Sequence, residues 1–145
     1  MKKILVVDDA KVIRMVIKRL LTQHGYQIAG EAGNGREAFE KYKELRPDAV
    51  TMDIIMPEVD GIQGLKDILA FDKQAKVIMI SAIDQRDSLT DAIRNGATDY
   101  VVKPFEDDRM ISTLKNIFGE DQKDAVGSGQ EAVVSTIWTF LAKNI

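Results

Sequence analysis

Short apolar runs alternate with longer amphipathic stretches along most of the chain. Ile4–Val7, Ile28–Ala32, Ala49–Met52, Val77–Ile80 and Tyr100–Val102 are brief, often β-branched and nearly continuous in apolar character. Strands covered on both faces show this pattern. Between them the period changes. Ile13, Val16, Ile17, Leu20 and Leu21 recur at i, i+3, i+4, i+7 and i+8, and Gly25 stops that helix. A second helix is expected from Gly35 to Leu45, ahead of Pro47, and a third from Ile62 to Phe71. A fourth is expected from Asp87 to Asn95, with Gly96 as its stop. The fifth begins near Asp107, an N-cap type of residue, and puts Met110, Ile111, Leu114, Ile117 and Phe118 on one face. Five strand–helix units in alternation predict an α/β domain, a five-stranded parallel sheet with helices on both faces.

Ligands of such sheets bind beyond the carboxyl ends of the strands. Asp8 and Asp9 follow the first expected strand, Asp53 the third, Ser81 the fourth, and Lys103, joined to Pro104, the fifth. An acid after a strand is ordinarily a cap or turn residue. That reading does not predict a lysine and a hydroxyl on the same rim. Two adjacent carboxylates repel unless a cation lies between them, and Mg²⁺ favours hard oxygen ligands of this kind. The set therefore suits phosphoryl transfer onto a carboxylate. Asp8, Asp9 and Asp53 are the candidate metal ligands and Asp53 the candidate nucleophile. Lys103 offers a compact positive charge and Ser81 a hydrogen bond to phosphoryl oxygens. The stretch "MDIIMPEVDG" reads as a turn-rich loop. In it the backbone carbonyl of Ile55 is either a further metal ligand or part of a plain connector.

Composition narrows the field. The net charge of −3 gives no electrostatic case for nucleic acid or an anionic membrane as partner. With no cysteine among the 145 residues, disulfide and thiol chemistry are excluded. The first residues turn acidic too soon for a signal peptide, and no apolar run is long enough to span a bilayer, so a cytoplasmic protein is expected. The single histidine, His24, reads as a surface residue beside the Gly25 stop.

"VVDDAKVIR", "VTMDIIMPEVDG", "VIMISA" and "GATDYVVKPF", in that order, resemble the receiver domain of bacterial two-component response regulators, above all its stand-alone chemotaxis members. The resemblance places a receiver domain at residues 1–118 and implies the strand order 2-1-3-4-5. It implies that Asp53 accepts a phosphoryl group from a sensor histidine kinase, catalysing its own modification with Mg²⁺ on Asp8, Asp9, Asp53 and the Ile55 carbonyl. It implies a cis bond between Lys103 and Pro104, and a switch pair of Ser81 and Tyr100 that alters affinity for a protein target. Tyr100 taken alone also reads as a sheet-packing residue. The implied target is a flagellar motor switch protein; the alternative is a phosphorelay intermediate or phosphate sink. Ile55 and Ile83 stand where the family tunes the lifetime of the phosphoryl group. Aliphatic side chains there orient no water, so slow self-dephosphorylation and a separate phosphatase are expected.

Two other classes fit less well. Phosphatases with an aspartate nucleophile, of the haloacid-dehalogenase type, resemble Asp-x-Asp, and here the second position is Ile55. A flavodoxin-like cofactor binder would set a flavin phosphate against Asp8 and Asp9, which repel it.

Residues 119–129, "GEDQKDAVGSG", read as a linker. In residues 130–145 Val134, Ile137, Trp138 and Leu141 recur at i, i+3, i+4 and i+7, which predicts an extra C-terminal amphipathic helix. Its apolar stripe can pack on this domain, on a second copy or on a target protein, and "GSG" also resembles an engineered joint. A membrane surface fits poorly, since Lys143 is the one basic residue there.

Overall fold

The computed structural model describes residues 1–104 and 106–119. The expected linker beyond Gly119 and the expected helix of residues 130–145, with Val134, Ile137, Trp138 and Leu141, lie outside the described residues. Five strands, β1 (Lys3–Val7), β2 (Gln27–Ala32), β3 (Ala49–Asp53), β4 (Val77–Ala82) and β5 (Asp99–Lys103), alternate with five helices. The helices are α1 (Lys11–Gln23), α2 (Gly35–Leu45), α3 (Gly61–Phe71), α4 (Arg86–Arg94) and α5 (Asp107–Phe118). All strand pairs are parallel, in the order β2-β1-β3-β4-β5. The reversal of direction falls between β1 and β3, which puts their carboxyl ends at the ligand-binding crevice of this topology.

Alternation along the strands builds two apolar layers. Leu5, Val7, Val50, Met52, Val77 and Met79 face α2, α3 and α4, meeting Ala38, Tyr42, Leu65, Ile68 and Leu89. Ile4, Val6, Ala49, Ile78, Ile80 and Val101 face α1 and α5, meeting Ile17, Leu20, Leu21, Met110, Ile111 and Leu114. Burial on both sides is why these strands carry continuous apolar runs. No helix among the described residues is long and apolar enough to cross a membrane.

Several expected boundaries shift. Asp53 closes β3, Ser81 lies inside β4 and Lys103 closes β5, so all three stand within the ladder and not after it. The pairs Asp53↔Ile80, Ser81↔Val102 and Ala82↔Lys103 explain this: sheet pairing uses backbone groups and continues through polar side chains. α4 starts one residue earlier than expected, and Asn95 is its C-cap. Asp107 is the first residue of α5 and Glu106 its N-cap, without a side-chain capping bond. Val16 is 56% exposed, not part of the core face of α1. Apolar residues occupy so much of that helix that the sheet covers only the Ile17, Leu20 and Leu21 side, and Val16 is turned roughly 100° from Ile17.

Candidate functional site

The site forms where β1, β3, β4 and β5 end. Val7 pairs with Met52, so Asp8 and Asp53 emerge side by side from adjacent strands. Asp8 is buried, and its carboxylate accepts from the backbone N–H of Ala10 at 2.8 Å. Asp53 is buried too and accepts from the N–H of Ile54 at 3.1 Å. Asp9, the next residue, is exposed. One oxygen from each of Asp8, Asp9 and Asp53 can be chosen so that all lie within 4.8 Å of one another. The ammonium of Lys103 reaches in from β5, 3.4 Å from Asp8 Oδ2 and 3.4 Å from Asp53 Oδ1.

Charge is unbalanced in this group: three carboxylates face one ammonium. Burial, and then the neighbouring charge of Asp8, push the Asp53 carboxyl up to about 6, against the pull of Lys103 and of the Ile54 N–H. Hard oxygen donors that are short of positive charge suit a divalent cation such as Mg²⁺. Ser81 is buried on β4, one residue beyond the partner of Asp53. Tyr100 is buried in the layer facing α2, α3 and α4, and burial raises its phenol pKa. Ile55 and Ile83 flank the rim with side chains 54% and 71% exposed. The Lys103–Pro104 peptide bond is cis.

A profile described as the response regulator receiver domain matches residues 4–115. The chain is 51% identical over 116 residues to the chemotaxis protein CheY of Thermotoga maritima, covering 80% of this chain and 97% of that one. It is 52% identical over 112 residues to CheY of Bacillus subtilis, covering 77% and 93%. A crystal structure of the CheX-CheY-BeF₃-Mg²⁺ complex from Borrelia burgdorferi superposes with a TM-score of 0.77 at 36% identity, covering 81% of this chain and 89% of that one. The chain belongs to the response regulator receiver family.

As a receiver it is a signalling module and not a conventional enzyme. Two braces of this receiver's site were invisible to sequence reading. Arg14 Nη1 donates to the backbone carbonyl of Asp8 at 2.6 Å while its Nε donates to Glu31 at 3.0 Å. Lys18 joins the same carboxylate at 2.8 Å, and these bonds hold the Glu31 carboxyl below its ordinary pKa. Arg14 and Lys18 lie on α1, where charged residues between apolar ones are the ordinary pattern of an amphipathic helix. Glu31, a charge inside an apolar strand run, was the one local signal.

The second brace is glycine. Gly61 packs flat against the backbone carbonyl of Asp53, and a Cβ at that position would collide with it. The Gly61 N–H also donates to Ile54 O at 2.7 Å, so α3 starts directly behind the candidate nucleophile. Asp60 caps that helix through the N–H of Gln63 at 2.9 Å. On its outer side the loop is held by α2: the Gly35 N–H donates to Val59 O at 2.6 Å, and Asn34 reaches Glu58 at 3.2 Å. The Asp60-Gly61 pair read as a turn from sequence, whereas its role as a backstop needed the third dimension.

Proposed function

We propose that this receiver accepts a phosphoryl group on Asp53 from the phosphohistidine of a sensor histidine kinase, of the kind that serves chemotaxis. A carboxylate oxygen of Asp53 attacks phosphorus, the bond from phosphorus to the donor nitrogen breaks, and an acyl phosphate forms on Asp53. The observation that carries this reading is the Lys103 ammonium at 3.4 Å from both Asp8 and Asp53. A structural ion pair would need one buried acid, whereas this lysine is shared by two with a third alongside.

Each group then has a task. With its carboxyl at about 6, Asp53 is mostly ionised at neutral pH and able to attack. Lys103 moves from bridging the two acids to meeting a phosphoryl oxygen, where a fixed ammonium is worth most as charge spreads over that group. Asp8, Asp9 and Asp53, with the carbonyl of Ile55, would hold Mg²⁺, which supplies the positive charge that the acids lack and a further contact for the phosphoryl oxygens. Ser81 donates to the remaining oxygen. The new charge draws Ser81 and the β4–α4 connection inward, and Tyr100 and the surface of α4, β5 and α5 report the change to a protein target.

The curated relatives are named as chemotaxis proteins, which supports a flagellar motor component as the target and a CheA-like kinase as the donor. The Borrelia CheY complex carries BeF₃ and Mg²⁺ together, an anion of phosphoryl-like shape with a divalent ion. The exposed aliphatic side chains of Ile55 and Ile83 offer a hydrolytic water no hydrogen bond, so the acyl phosphate is long-lived and needs a separate phosphatase.

The test is intact-mass spectrometry after incubation with acetyl phosphate. One added phosphoryl group that needs Mg²⁺ and disappears in Asp53→Asn is the expected result. Incorporation that survives Asp53→Asn, or none with any donor, overturns the proposal. A measured half-life of seconds would contradict the lifetime part alone.

A further inference from the structure

Three of the seven large apolar side chains that are exposed among the described residues stand on one helix. On α1, Val12 is 68% exposed, Met15 52% and Val16 56%. They are spaced i, i+3, i+4, so they form one stripe on the side away from the sheet. With Arg19, Leu20, Gln23 and Asp107 of α5 they line a groove of about 290 Å³. A helix that is apolar on nearly every side is ordinarily covered on every side.

We propose that residues 130–145 of the same chain cover this groove, with Val134, Ile137, Trp138 and Leu141 seated on Val12, Met15 and Val16. Three observations favour this occupant. The first is where the chain leaves the described domain. Phe118, the last residue of α5, lies with its ring centroid 6.3 Å from that of Tyr26. The Tyr26 N–H is bonded to Leu21 O at 3.0 Å, so the exit point adjoins the carboxyl end of α1 and one end of the groove.

The second is reach. Residues 120–133 extend up to roughly 45 Å at ~3.3 Å per residue, against roughly 20 Å for the whole length of α1. A tether of that length holds its end at an effective concentration on the order of millimolar, so a modest apolar contact is enough.

The third is charge. α1 carries Lys11, Arg14, Lys18 and Arg19 and no acid, while residues 120–131 carry Glu120, Asp121, Asp124 and Glu131 against Lys123 alone. Arg14 and Lys18 are engaged with Glu31, and Arg19 lines the groove. A second copy packed symmetrically through α1 would instead set this basic helix against itself, which is unfavourable.

The chain lacks cysteine, so an engineered pair reports one contact without background. Full-length Val16→Cys/Ile137→Cys is oxidised at low protein concentration beside Gln74→Cys/Ile137→Cys, Gln74 being exposed just past α3 on the other side of the sheet. The expected product is an intrachain disulfide in monomer, formed several-fold faster in the Val16 pair than in the control. Trp138 gives a second reading on the otherwise native chain: acrylamide quenching is expected to be several-fold weaker than in urea. Met15→Lys/Val16→Lys, two exposed sites whose change spares the core, is expected to remove that protection. Equal rates in the two cysteine pairs overturn the proposal, as do mainly interchain disulfides, which would assign the groove to a second copy. Trp138 as quenchable in the native chain as in urea overturns it, and so does protection that ignores the lysine variant, which would put the tail elsewhere.

Discussion

Asp53 at the carboxyl end of β3 and Asp99 at the amino end of β5 are both buried, and both carboxyls are pushed up to about 6 with burial as the largest cause. Each also has an adjacent backbone N–H and a cation that favour its ionised form, and what separates them is a neighbouring acid. Asp99 accepts from the adjacent N–H of Tyr100 at 2.7 Å, and that bond and the charge of Arg109 both favour its ionised form. Asp53 has the charge of Asp8 acting against ionisation and Lys103 acting for it. Equal proton affinity therefore hides different states. At Asp99 burial alone opposes ionisation. At Asp53 part of the opposition is Coulombic, and a bound cation can reverse it. A raised carboxyl pKa does not by itself single out the proposed phosphoryl acceptor, and the two acids are told apart by the charges beside them.

The largest expected effect comes from removing the ammonium that Asp53 shares with Asp8. Lys103→Ala should slow phosphoryl uptake from acetyl phosphate by roughly 10²–10³, the usual cost of losing one fixed donor to a transferring group. It should also raise the Asp53 pKa further, since a cause that lowers it is gone. Stopped-flow and quench measurements at matched Mg²⁺ read the first effect, and uptake at the native rate would show Lys103 to be structural.

Proton linkage separates the two acids next. A carboxyl with a folded pKa near 6 and an ordinary value of 3.8 binds its proton more tightly in the folded state. Its contribution is full below pH about 4 and is lost as pH rises through about 6. Each acid accounts for at most roughly 3 kcal/mol of this loss. Denaturant unfolding in EDTA should thus show stability falling between pH 4 and 7. Saturating Mg²⁺ should cancel the share belonging to Asp53, because it binds the folded, ionised cluster, and should leave the share of Asp99 untouched. A pH slope identical with and without Mg²⁺ would remove the distinction between the two acids.

The smallest effect isolates Asp99. Asp99→Asn keeps an acceptor for the Tyr100 N–H and removes the buried charge, so at pH 8 it should stabilise the protein by on the order of 1–3 kcal/mol. Its Mg²⁺ affinity should match the native value when followed by isothermal calorimetry. Destabilisation at pH 8 would mean that Arg109 needs this carboxylate more than the core resists it.

What the sequence determined by itself was local. Hydrophobic period, Pro47, Gly25 and Gly96 mark out ten elements in alternation, and alternation forces a parallel sheet with its acids at one rim. The resemblance to receivers added the strand order, which periodicity does not contain. Tertiary structure decided what depends on neighbours far away in the chain. It brought Lys103 to Asp8 across 95 positions and set Arg14 beneath the Asp8 carbonyl. Gly61 became the backstop of Asp53, and among the described residues the outer stripe of α1 stayed exposed. Periodicity follows from the backbone geometry of one element and can be read along a line. Burial, Coulomb coupling and steric fit are sums over neighbours in space, and the coupling of Asp53 to Asp8 and Lys103 belongs to that second kind.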